Sequence, residues 1–132
     1  MHLLACCLNL NVTLENEVKN EVGGYEGIYT FAGISNDMDY FVHSEHRMYA
    51  LWFYRHPNSY PVIKFWKFGY KLNVGLNKGW ITQEVADKKC PKDGEYPWLW
   101  HYFNTQDWIA IPTTDIAIRC LDPNAIQTKN LT

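Results

Sequence analysis

No apolar run in the 132-residue chain approaches the roughly 18 to 20 residues that a membrane-spanning helix requires, so a helical membrane span is not expected. A basic excess is also missing. The net charge is −2, and a surface that contacts many phosphates needs a cationic field, which argues against nucleic acid as a partner. Cys-x-x-Cys spacing is absent, which speaks against structural zinc. No catalytic motif stands out, and no cofactor is expected. Long helical periodicities alternating with strands are lacking too, which argues against a parallel α/β sheet.

What is present is aromatic. Aromatic residues make up 16% of the chain, hydrophobic residues 47% and charged residues only 20%. A chain so composed offsets its ordering entropy and folds, and its length fits a single domain over residues 1–132. The densest stretch is Arg47–Trp80, which contains no Asp or Glu. It reads as two strands around a His56-Pro57-Asn58-Ser59 turn, with another strand opening at Gly79-Trp80.

Leu8–Leu14 alternates, with Leu8, Leu10, Val12 and Leu14 on one face and Asn9, Asn11 and Thr13 on the other, as a half-buried strand does. Glu15–Val22 fits a short helix or an exposed loop, with the loop preferred. Tyr25–Phe31 reads as a strand in which Gly27 marks a bulge or a close backbone contact. Gly33–Asp37 reads as a turn and Asp39–His43 as a short strand. Arg47–Tyr54 is apolar on both faces, the mark of a central strand. In its partner, Pro61–Leu72, a bulge at Phe65–Trp66 is expected. It would place Lys64, Lys67, Gly69 and Lys71 on one wet face. Thr82–Lys89 suits one or two helical turns, Trp98–Phe103 and Trp108–Ile111 suit a pair of strands, and Asp115–Leu121 a last strand. The polar residues 122–132 are expected to fray. About seven to eight short strands separated by Gly, Pro and Asn turns, with at most one or two short helices, imply an all-β antiparallel sandwich or barrel.

The four cysteines allow three connectivities. Cys6 and Cys7 are neighbours and bridge each other only under strain, so a framework should use Cys90 and Cys120. The preferred pair is Cys90–Cys120, whose loop of about 30 residues would contribute about 3.5 kcal/mol. The alternative is four reduced, buried thiols. Residues 1–7 read either as the remnant of a secretory signal or as a first strand. Asn11-Val12-Thr13 and Asn130-Leu131-Thr132 are glycosylation sequons, and Asn11 is the preferred acceptor. Together these features lead to an expectation of a secreted or cell-surface protein.

The order Tyr25-x-Gly27-x-Tyr29, Asp39-Tyr40, Leu51-Trp52-Phe53-Tyr54, Gly79-Trp80-Ile81, Cys90-Pro91, Tyr96-Pro97-Trp98 and Ile118-x-Cys120 resembles a small module of secreted invertebrate proteins. The resemblance spans residues 8–120 and implies an extracellular β-rich module without catalytic residues.

Two groups of side chains merit weighing for chemistry. Asp37, Asp39, His43, Glu45 and His46 form the densest polar set, and His43-x-x-His46 offers metal-ligand chemistry only if Ser44–Glu45 bends the chain. The plainer reading is a solvated turn with satisfied histidines. An acid–base set of Glu45, His46 and Arg47 is disfavoured because adjacent strand residues diverge. The stronger signal lies in the aromatic loops. Tyr96, Trp98, Trp100, Tyr102 and Trp108, with Asp93 and Asp107, have the composition of a sugar-binding surface, where rings stack on the sugar and carboxylates fix its hydroxyls. The expected function is a non-catalytic extracellular binding module for a glycan or protein. The alternative is a self-associating structural or matrix protein, and a small metal- or His-dependent enzyme ranks third.

Overall fold

A computed structural model describes residues 7–56, 62–85, 90–91, 97–103 and 108–121, with residues 101–103 and 108–111 described through their backbone. Among the described residues nine strands form one antiparallel sheet: β1 (Asn9–Leu14), β2 (Gly27–Ser35), β3 (Met38–His43), β4 (Tyr49–Arg55), β5 (Lys64–Tyr70), β6 (Ile81–Val85), β7 (Trp98–Phe103), β8 (Trp108–Thr113) and β9 (Ile116–Cys120). One short helix, α1 (Asn16–Val22), lies between β1 and β2. The spatial order is β8-β7-β6-β5-β4-β3-β2-β1-β9, so consecutive strands are neighbours until β9 returns to pair with β1.

That order forces the sheet to roll. β8 and β9 are its two edges, yet only Thr114 and Asp115 separate them in sequence. A flat sheet of this many strands would be roughly 38 Å wide at about 4.8 Å per strand spacing. Three peptide units reach roughly 11 Å. The edges therefore come together, and the strands form a nearly closed barrel. A cavity of about 360 Å³, bordered by Gln83, Trp98, Thr113, Ile116 and Ile118, lies at that corner.

The interior follows from pairing register, because directly opposed residues share a face. Cys120, Leu10, Tyr29 and His43 are opposed in succession from β9 to β3, and Phe41, Leu51, Phe68, Ile81 and Trp100 from β3 to β7. Leu10, Tyr29, Phe41, Leu51, Phe68 and Ile81 are all fully buried in the core. β4 sits in the middle of the strand order and is buried on both sides, as its doubly apolar sequence implies. Its outer-face residue Trp52 packs with Val42 and Ala50, and the Trp52 indole Nε1–H donates to the Leu76 carbonyl at 3.0 Å. The segment after β5 thus covers the outside of β3 and β4.

Several local expectations need correction. Glu15–Val22 is helical over Asn16–Val22 because Val18 reaches the core, and the Glu26 carboxylate ties α1 down. Glu26 accepts from the Leu14 amide at 2.8 Å and pairs with Lys19 at 3.3 Å. Gly33 belongs to β2 rather than to a turn. The Tyr40 ring lies where its Cβ would be, and the turn is Asn36-Asp37, both at positive φ (55° and 65°) between the paired residues Ser35 and Met38. This two-residue geometry suits the right-handed twist of a hairpin. No bulge interrupts β5, which pairs with β4 in unbroken register from Tyr49↔Tyr70 to Arg55↔Lys64. Lys67 therefore faces outward beside Trp52 without reaching open solvent, and it is only 6% exposed. Thr82–Val85 is strand and not helix, because it pairs with both β5 and β7. The expected turn at 57–59, residues 86–89, the sequon at Asn130 and the tail 122–132 lie outside the described residues.

The cysteine pairing also differs. Cys120 is joined to Cys7, with Cα atoms 5.7 Å apart, so the expected Cys90–Cys120 bridge is not formed. The cause is topological: β9 pairs with β1, which places Cys120 opposite Leu10 and brings it beside the residues that lead into β1. The bridge joins residues 113 positions apart, and a loop of that length contributes about 5 kcal/mol on the chain-entropy account. Cys90 is also disulfide-bonded. Among the described residues no helix is long and apolar enough to cross a membrane.

Candidate functional site

A group of aromatic side chains, from the buried Tyr25 to the exposed Tyr70, gathers at the α1 end of the barrel. β2, β4 and β6 begin at this end and β5 finishes there, so the segments flanking them are brought together. Tyr25 lies in the turn before β2, Tyr49 opens β4, Tyr70 closes β5 opposite Tyr49, and Trp80 immediately precedes β6. With Glu21, Val22 and Gly24 they line a cavity of about 300 Å³. The rings of Tyr25 and Tyr49 stack at 4.1 Å between centroids, and Tyr49 and Tyr70 lie near-parallel at 6.1 Å. Tyr70 is 41% exposed. Tyr49 and Trp80 are half-buried, and Glu21 stands exposed at the rim.

The polar groups are fixed by their surroundings. The Tyr29 hydroxyl donates to the Tyr25 carbonyl at 2.7 Å. The Tyr25 hydroxyl is buried and has no hydrogen-bond partner among the described residues. Burial first, and then the neighbouring Tyr49 and Tyr70, push the Tyr25 phenol well above its ordinary value. Burial does the same to Tyr29, helped by Tyr25 and Tyr49, so both phenols stay protonated through neutral pH.

His43 sits beneath this cluster and is structural. The backbone amides of Glu45 and His46 donate to its Nδ1 at 3.1 and 3.0 Å, so Nε2 carries the proton and donates to the Glu26 carbonyl at 2.7 Å. Both ring nitrogens are committed, and neither lone pair is available to a metal. His43 and His46 do approach, with ring centroids 4.9 Å apart, but as an aromatic contact. Asp37 lies in the β2–β3 turn, whereas Asp39 is buried in β3. Among the described residues no group of three or more His, Cys, Asp or Glu side chains could hold a metal ion.

The residues expected to form the site fare differently. Trp98 and Trp100 are buried at 6% and 4% exposure and pack in the core, so as stacking platforms they are corrected: register turns both inward. Trp98 does border the cavity at the β8–β9 corner. Tyr102 and Trp108 are placed only by their backbones, on neighbouring rungs at one end of the β7–β8 ladder, in which Phe103 pairs with Trp108 and Tyr102 with Ile109. Asp93, Tyr96 and Asp107 lie outside the described residues. Asn11 is half-buried in β1, opposed by Ile28 and Arg119, which are both exposed and so mark the outer face. In the sequence Tyr49, Tyr70 and Trp80 read as parts of strands. The available signal was that the ends of β4 and β5 carry phenols and not Phe, so that each ring has a polar edge.

Compared with known proteins, the chain matches no family model, no curated protein and no solved structure.

Proposed function

We propose that this chain is a non-catalytic, extracellular binding module that recognises a glycan through the Tyr25–Tyr49–Tyr70–Trp80 cavity. The observation that carries the reading is the set of near-parallel tyrosines that ends on the exposed Tyr70 ring, in a cavity that Glu21 also lines. Pyranose rings present apolar C–H faces that stack on aromatic faces, while their hydroxyls donate to carboxylates and accept from phenols. Glu21 and the hydroxyl of the exposed Tyr70 supply that polar complement. The cavity size matches the lower end of small-ligand sites, about 300 to 1,000 Å³, and so fits one or two sugar units. The disulfide is compatible with an oxidising, extracellular setting, and glycosylation at Asn11 belongs to the same proposal.

A glycan array probed with the intact chain tests it. Discrete saccharide hits that vanish for Tyr70→Ala and Trp80→Ala are expected, and a blank array contradicts the reading.

The second reading, a self-associating structural protein, draws on Met48 (57% exposed), Leu72 (84%) and Leu76 (49%). Gel filtration at rising concentration separates the two, since self-association predicts a shift to larger species.

A further inference from the structure

We infer that a second cavity, on the outer face of β2 and β3, binds a sulfate or phosphate monoester carried on a small sugar. It measures about 320 Å³ and is lined by Thr30, Tyr40, Val42, Ser44, Arg47 and Lys71 among others. It is distinct from the tyrosine cavity, sharing no lining residue with it. Two loops build it. Arg47 and Ser44 come from the β3–β4 connection, Lys71 follows β5, and the Lys71 amide donates to the Met48 carbonyl at 2.7 Å, which locks the loops side by side.

Among the described residues, the Arg47 guanidinium, the Lys71 ammonium and the Tyr40 and Ser44 hydroxyls have no hydrogen bond, ion pair or carboxylate partner. These four donors therefore border one cavity without an acceptor from the protein. No acidic residue lines the cavity, and the whole of Arg47–Trp80 lacks one, although the chain as a whole is net acidic at −2. A planar guanidinium and an ammonium bordering one cavity suit a tetrahedral oxyanion, which accepts two bonds from the fork and one from the point charge. The Tyr40 ring and Val42, both on the outer face of β3, give the carrier an apolar surface to rest on.

Calorimetric titration of the intact chain with a glucose sulfate monoester, with glucose and with inorganic sulfate tests the assignment. Glucose sulfate is expected to bind and glucose not. Arg47→Gln and Lys71→Gln should each weaken binding about tenfold, the scale of one lost charge-assisted hydrogen bond. Both side chains are exposed, so neither change threatens folding. Trp80→Ala, which alters the tyrosine cavity alone, should leave this affinity unchanged, so the two sites stand or fall separately. Inorganic sulfate matching glucose sulfate would contradict the sugar carrier. Absence of binding by all three, or undiminished binding in the R47Q/K71Q double variant, overturns the assignment.

Discussion

Lys67 shows how a single side chain can oppose the fold that holds it. Its ammonium lies 5.1 Å from the Phe65 ring centroid and 5.7 Å from that of Tyr54. Burial lowers its pKa from 10.5 to about 8. The unfolded chain keeps this proton to higher pH than the folded one does, so between about pH 8 and 10.5 unfolding takes up a proton and this residue's contribution to stability rises with pH. Below about pH 8 the whole penalty is present. A shift of this size corresponds to about 3 kcal/mol. The two rings offset about 1 to 2 kcal/mol of it. Lys67→Met should therefore stabilise the protein by about 1 kcal/mol at neutral pH, with the gain fading toward pH 10. Urea denaturation across a pH series measures this, and a Met variant that is less stable at neutral pH contradicts it. Gly27 is the opposite case, a residue the fold cannot exchange. Its φ is +136°, and an added Cβ would meet the His43 Nε2 at 2.6 Å. Strain and the displaced imidazole together should make Gly27→Ala destabilising by about 3 kcal/mol or more, read from the same denaturation midpoints. That glycine was legible in the sequence as a close backbone contact, but the imidazole that fills the space was not, because it arrives from another strand.

At the scale of elements, alternation was a sound guide wherever one face met the core. Leu10, Val12 and Leu14 are buried as the pattern of β1 requires, and Tyr49–Tyr54 lies in a doubly covered strand. Errors arose where a polar residue was assumed to need water. Lys64 and Lys67 invite a bulge only if both must be solvated. The straight ladder shows that two rings within reach of its ammonium accommodate Lys67 instead. Cysteine pairing was illegible for a related reason, since spacing along the chain carries no information about which strand closes a barrel. Mapping of peptides from a non-reduced digest should find Cys7 linked to Cys120, and a Cys90–Cys120 peptide would contradict the β1–β9 pairing. Replacing both Cys7 and Cys120 with Ser should cost about 2 to 5 kcal/mol.

For the molecule as a whole, composition and turn spacing were enough to indicate an antiparallel all-β domain, and closure follows from the two-residue step between β8 and β9. Location of the candidate site was not readable in the same way. The aromatic count marks rings as abundant, but only register decides which of them line the core, as Trp98 and Trp100 do, and which meet solvent, as Tyr70 does. Barrel closure gathers Tyr25, Tyr49, Tyr70 and Trp80 from four separate segments at one end. Tyr25→Phe separates ligand recognition from folding. It removes a buried hydroxyl that has no partner among the described residues, so stability should hold or rise by about 1 kcal/mol in denaturation midpoints while saccharide binding on the array is unchanged.

Saturation-transfer NMR, with the saccharide selected on the array, addresses the central claim most directly. Irradiation of the aromatic protons should pass saturation to the sugar C–H protons in the native chain, and the transfer should be lost in a Tyr70→Ala, Trp80→Ala double variant that remains folded. Undiminished transfer in that folded variant would contradict the tyrosine cavity as the binding site.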